Sequence, residues 1–299
     1  MSIEVQSVSK SYGNQLALNA VSFTAKQGEI IGFLGPNGAG KSTMMKILTG
    51  YILLNQGQVK VAGLNVLSKT SQAQREIGYL PEQNPLYKDM YVKEYLAFQA
   101  SIFKVGKKRI QEVIKWVGLV PEVQKKIGQL SKGYQQRVGI AAAILHDPKV
   151  LILDEPTTGL DPNQLQEIRT LIKELGKEKT ILFSTHIMQE VEAICNRVII
   201  INKGDLLLDQ PLQKLKDSQL QTIEVTFDKK IDHKLLAKIS NLQSFHSSSK
   251  TTWQFVFDSE KDMRPKIFDF ARDNQLKILE LNSINKSLEI LFKELTQDL

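Results

Sequence analysis

The chain has 299 residues, 42% hydrophobic and 24% charged, enough for one large globular domain or for a domain and a smaller companion. Its formal net charge of +7 admits an acidic partner, but the lysines are dispersed and no basic stripe interleaved with aromatics points to base stacking. Apolar runs such as 138–145 fall short of the roughly 18 residues of a membrane span, the first residues lack a secretory leader's apolar core, and a single cysteine excludes an internal disulfide, so the chain is expected in the cytoplasm.

In chain order, Tyr12 reads on its own as a strand or turn aromatic. The apolar run Ile30, Ile31, Gly32, Phe33, Leu34 predicts a strand, and Gly35, Pro36, Asn37, Gly38, Ala39, Gly40, Lys41, Ser42 and Thr43 follow it directly. The first eight of these residues, Gly35 to Ser42, fit the phosphate-loop pattern Gly-x-x-x-x-Gly-Lys-Ser/Thr in full, with a helix predicted over 41–48. Gly35, Gly38 and Gly40 let the backbone curl so that successive N–H groups point into one concavity that a Cβ would obstruct. Lys41 brings a compact positive charge to the outer phosphates, Ser42 offers a hydroxyl to Mg²⁺, and the helix start adds its dipole. A plain glycine turn between strand and helix is the alternative.

Residues 84–144 read mainly helical, with helices over 92–103 and 108–117, and Lys107, Lys108 and Arg109 read as a solvated face. At Leu130 to Arg137, "LSKGYQQR", Ser131 and Gly133 open a helix reaching about Leu145 and form a second possible anion site, although serine there is also an ordinary cap. The turn pair Asp147-Pro148 introduces the strand Lys149–Leu153, which ends in Asp154 and Glu155. At a strand tip Asp154 can hold Mg²⁺ beside Ser42, and Glu155 can accept a proton from an attacking water; two acids closing a surface strand is the bland reading.

A strand over 180–184 leads to Thr185 and His186. That imidazole could bond a γ-phosphate or orient the water, whereas His146, His233 and His246 read as structural or solvent-facing. Cys195, at helical spacing from Val191, reads as a small buried apolar residue. Val198 to Leu208 is a predicted hairpin turning at Lys203-Gly204. "NKGD" at 202–205 also fits the guanine-reading pattern of GTPases, but no aspartate in the chain has the glycine three residues later that a GTPase switch needs.

Beyond it the pattern changes: strands at 222–227, 242–246, 253–257 and 276–281, and helices at 234–239, 262–272 and 287–295. The order βαββαβ suggests a small ferredoxin-like domain with Trp253 and the phenylalanines in its core.

"GPNGAGKST", "LSKGYQQR", "VLILDEP", "GLD" ending in Asp161 and "STH" ending in His186, in this order, make residues 1–215 resemble the ATP-binding cassette subunit of ABC transporters. The resemblance implies an α/β P-loop NTPase cassette with a RecA-like core, an antiparallel β subdomain and a helical subdomain at about 84–145, followed by an accessory α+β domain over 216–299. It implies ATP and Mg²⁺ as cofactors, Tyr12 stacking on adenine, Ser42, Asp154 and Glu82 serving the metal, Glu155 and His186 in catalysis, and Asp161 in the D-loop. Ser131 and Gly133 would touch phosphate across a homodimer or heterodimer of cassettes, so one chain carries two half-sites. Two departures stand out: Lys132 and Tyr134 in the signature, and Glu82 at the Q-loop position, with Gln83 one residue later as its competitor. The resemblance implies an integral membrane permease as partner, contacted through the loop "EQNPLYKDMY", no nucleic acid, no transmembrane segment in this chain, and a peripheral place on the inner face of the cell membrane. The ending "SLEILFKEL" and the segment "PEQNPLYKDMYVKEYL" look like subunits of ABC-2-type exporters, and most like those of gliding-motility-associated ABC transporters. Soluble cassette proteins of translation or DNA repair are the rival class; the second cassette or long coiled coil usual there is absent.

Overall fold

The computed structural model describes residues 1–216, 220–231, 233–236, 239–259, 261–284 and 288–297, and the chain forms two compact units, Met1–Pro211 and Leu212–Leu299. The first opens with β1 (Ile3–Tyr12) and β2 (Gln15–Ala25), then β3 (Ile30–Leu34), α1 (Lys41–Leu48), β4 (Gln56–Val61), β5 (Leu64–Asn65), α2 (Thr70–Arg75) and β6 (Ile77–Leu80). The helices α3 (Val92–Phe103), α4 (Lys107–Trp116) and α5 (Lys132–Ile144) follow, with short 3-10 turns at Val120–Glu122 and Ile127–Gln129. It closes with β7 (Val150–Asp154), α6 (Pro162–Gly176), β8 (Thr180–Thr185), α7 (Met188–Ile194), β9 (Arg197–Asn202) and β10 (Asp205–Pro211).

Two sheets result: an antiparallel one in the order β2-β1-β4-β5, and a six-stranded one in the order β10-β9-β3-β8-β7-β6, parallel except for the edge hairpin strand β10. Strands buried on both faces are continuous apolar runs whose alternate residues serve opposite layers. Thus Ile31, Phe33, Ile152, Leu182, Ile199 and Ile201 join the core shared with α1 and the antiparallel sheet. Leu151, Leu153, Ile181 and Phe183 instead join a second core with Leu96, Val113, Ile140 and Ile172 of the helices. Gly32 is required by packing: a Cβ there would lie 2.8 Å from a Val191 methyl and 3.1 Å from Cys195 Sγ. Cys195 is half-buried at the end of α7 rather than fully enclosed, and burial pushes its thiol well above the usual range.

The hairpin turns at Lys203-Gly204, both at positive φ (48° and 88°), with Asn202 paired to Asp205, and Asp205 accepts a hydrogen bond from the Asn19 side chain. "NKGD" is therefore a turn. Lys107 and Lys108 are exposed, but Arg109 departs from the expected solvated face: its guanidinium turns inward to the Ile144 and Leu145 carbonyls and to Asp147. His146 stacks on Phe103 with ring centres 3.9 Å apart, and His246 is exposed.

The second unit contains α8 (Leu212–Lys216), β11 (Leu220–Phe227), α9 (His233–Leu236), β12 (Leu242–Ser247), β13 (Thr252–Asp258), α10 (Arg264–Asp273), β14 (Ile278–Ile284) and α11 (Leu288–Gln297). Its antiparallel sheet, β12-β13-β11-β14, has the split βαβ order of a ferredoxin-like fold. Ile223, Val225, Phe227, Trp253, Phe255 and Phe257 alternate into its core. Residues 237–238 of the expected short helix and 287 of the last one lie outside the described residues. β14 begins two residues later than the pattern suggests, because Gln275 turns the chain at φ 54° and the Lys277 N–H is bonded to Asp228 Oδ1.

Candidate active site

The loop 35–43 leaves β3 at its C-terminal end and enters α1 through Gly40, whose φ of 109° few other residues tolerate. Contact also demands glycine: a Cβ on Gly40 would meet the Ala17 carbonyl oxygen at 2.5 Å. Lys41, 6% exposed, donates to the carbonyls of Gly35 (2.8 Å) and Pro36 (3.2 Å), and its ammonium lies 3.6 Å from Glu155 Oε1. The lysine thus curls back over the loop into a nest of opposite charge.

β7 lies one strand away, across β8, and carries the two acids at its tip. Ser184 organises both: its hydroxyl donates to Asp154 Oδ1 at 2.5 Å and accepts from the Glu155 N–H at 3.0 Å. Glu155 adopts φ 48°, an uncommon conformation for a side-chain-bearing residue, stabilised by a second bond from its N–H to the Ser184 carbonyl. The turn aims its carboxylate back over the sheet. There His186 Nδ1 stands 3.0 Å from both oxygens, and Thr158 donates to Oε2 at 3.3 Å.

These groups share a cleft of about 530 Å³ whose walls include Tyr12, Asn37, Gly38, Gly40, Lys41, Ser42, Thr43, Glu82, Glu155 and His186. Tyr12 is half exposed at its rim, with Lys10 Nζ 5.1 Å from the ring centre. Gly35, Pro36 and Ala39 form the body of the loop behind it. Ser42 and Glu82 also border a larger groove of about 990 Å³, on which Asp154 and Gln83 lie. In that groove burial, then the Asp154 carboxylate, push the Tyr79 hydroxyl above its ordinary range.

Ser131, Gly133 and Asp161 do not line the phosphate cleft. Ser131 caps α5, accepting from the Tyr134 N–H, and Asp161 caps α6, accepting from the Gln164 N–H. Gln164 links the two caps: its amide reaches Ser131 Oγ at 3.4 Å and its side chain fills the space a Cβ on Gly133 would need, 2.7 Å away. The sequence reading singled out neither Ser184 nor Thr158. The polar Ser184 directly after the apolar run Ile181, Leu182, Phe183 is the one signal that could have revealed it.

A family model described as "ABC transporter" matches residues 18–158. The chain is 34% identical over 297 residues to the uncharacterized ABC transporter ATP-binding protein YhcH of Bacillus subtilis, covering 98% of this chain and 95% of that one. It is 34% identical over 269 residues to the Nod factor export ATP-binding protein I of Rhizobium meliloti, covering 87% and 80%. Among solved structures, the ATP-binding cassette MJ0796, a dimer in a post-hydrolysis state bound to ADP and Pi, superposes with a TM-score of 0.64 at 28% identity over 70% of this chain and 98% of that one.

Proposed function

Because the chain belongs to the family of ABC transporter ATP-binding proteins, and is thus an ATPase coupled to transport, we propose that two cassettes close on Mg-ATP to drive a separate membrane permease. Residues 1–215 form the cassette in this reading, and 216–299 an accessory domain. One observation carries the proposal: the cleft gathers Lys41, Ser42, Glu155 and His186, while the capped helix starts at Ser131 and Asp161 lie outside it. A phosphate held by the loop therefore lacks its second anion site until another chain brings one.

Within the cleft, Tyr12 stacks on the adenine and the loop N–H groups with Lys41 hold the phosphates. Glu155, aimed by Ser184, takes the proton of the attacking water, and His186 steadies that carboxylate and the γ-phosphate. Mg²⁺, when bound, would supply positive charge to neutralise the phosphates. Ser42, Asp154 and Glu82, the oxygen donors bordering one groove, fit a small hard cation and are the residues that would hold it.

A mixing experiment tests the shared site. Lys41→Ala and Ser131→Arg chains, each inactive alone, should regain roughly a quarter of the wild-type rate when mixed, since half of random pairs then contain one intact site of two. No recovery at any ratio would mean that each chain hydrolyses ATP by itself.

The Q-loop role goes to Glu82, which faces both the phosphate cleft and the groove, whereas Gln83 lines the groove alone. Glu82→Ala should lower Mg-ATP hydrolysis and Gln83→Ala leave it near wild type; the opposite outcome assigns the role to Gln83.

No described helix is long and apolar enough to cross a membrane, so in this reading the permease holds the chain at the inner face of the membrane. Direction is export through an ABC-2-type permease. Support comes from the resemblance of the chain's ending and from the relative named for Nod factor export. A link to gliding motility rests on the sequence resemblance alone. Purification from membranes with the bound subunits identified tests all three, and ribosomes or DNA in place of a permease would overturn them.

A further inference from the structure

Glu190 is wholly buried, near the start of α7, and takes no part in the chemistry above. Its Oε2 accepts a hydrogen bond of 2.8 Å from Thr185 Oγ1, and that hydroxyl in turn accepts the Ile187 N–H at 3.1 Å. The Glu190 N–H closes the ring on the Ile187 carbonyl at 3.2 Å. One carboxylate thereby ties down the residues on either side of His186. The imidazole needs this, because its own side chain is 45% exposed and little packing holds it, while its Nδ1 must keep 3.0 Å to both Glu155 oxygens. A buried carboxylate is an expensive way to hold a turn, and here its other oxygen, Oε1, has no hydrogen-bond partner. An apolar side chain would serve packing alone better.

We propose that Glu190 is a positioning residue for His186, acting through Thr185. The inference rests on the role given to His186 above. A hydroxyl has one proton to donate; spent on Glu190, it leaves the Thr185 lone pairs free for the Ile187 N–H, so the acceptor on Glu190 sets the direction of the whole relay. Glutamine keeps such an acceptor, and methionine fills similar space without one.

Glu190→Met and Thr185→Val should each lower kcat roughly tenfold to a hundredfold, the scale on which a small misplacement of a catalytic group acts, with the dissociation constant for ATP unchanged. Glu190→Gln should restore most of the rate. Thermal unfolding of the Glu190→Met protein should occur at or above the wild-type temperature, which separates positioning from support of the fold. The decisive measurement is the same substitution in a His186→Ala background, where it should have no further effect on kcat. If Glu190→Met there retains its full factor, or the Glu190→Gln protein is as slow as the Glu190→Met one, the proposal is overturned while the role of His186 stands. If His186→Ala by itself leaves the rate unchanged, the role of His186 fails, and the positioning claim with it.

Discussion

Glu155→Gln should lower steady-state ATP hydrolysis by roughly two to four orders of magnitude and leave ATP affinity within a few-fold of wild type. The substitution preserves shape: the amide oxygen can still accept from Thr158, and the backbone N–H remains on Ser184. An amide cannot take the proton of the attacking water. Lys41 meanwhile loses a carboxylate at 3.6 Å, which leaves its charge freer for phosphate rather than weaker. Binding without turnover should therefore accumulate an ATP-bound dimer, seen by light scattering after size exclusion, with phosphate release as the rate measurement. Near-normal hydrolysis by the Glu155→Gln protein would remove Glu155 as the base.

Lys41→Ala should weaken nucleotide binding by roughly tenfold to a hundredfold, because charge-assisted bonds to phosphate are each worth about 1.5–3 kcal/mol and at least one is lost outright. The change also strips the loop of its internal tie, since the ammonium bridges the Gly35 and Pro36 carbonyls to the 7%-exposed Glu155. Leaving that carboxylate with His186 and Thr158 alone predicts some loss of stability as well. Titration with a fluorescent ATP analogue separates the effects: an affinity within about threefold of wild type would place the phosphate-binding charge elsewhere.

The phosphate loop, the Asp154-Glu155 pair and His186 were legible in the sequence because glycine spacing and strand-tip polarity are local signals. The antiparallel sheet was expected from the family resemblance alone, not from its own residues. In β1 the buried residues are Ile3, Val5 and Val8, so the alternation changes phase at a bulge around Gln6 and Ser7, where Ser7 takes φ 46°, and a period-two reading loses the strand there. The second unit was easier, since Ile223 and Val225 pair across from Phe255 and Trp253 in unbroken register. Ser184, Thr158 and Glu190 stayed hidden for another reason. Each acts on a residue distant in sequence or around a turn, Ser184 reaching back 30 positions to Asp154, and spacing along a chain carries no trace of that.

β7 belongs to both hydrophobic layers at once: Ile152 is sealed beneath the antiparallel sheet, Leu151 and Leu153 beneath the helices. A strand clamped from above and below cannot travel with either layer, and close packing makes the clamp stiff. The acids at the end of β7 are thus held from both faces of the sheet, one strand away from the phosphate loop. β8 is clamped the same way, through Leu182 on one face and Ile181 and Phe183 on the other, so the serine that aims both acids is as fixed as the acids themselves.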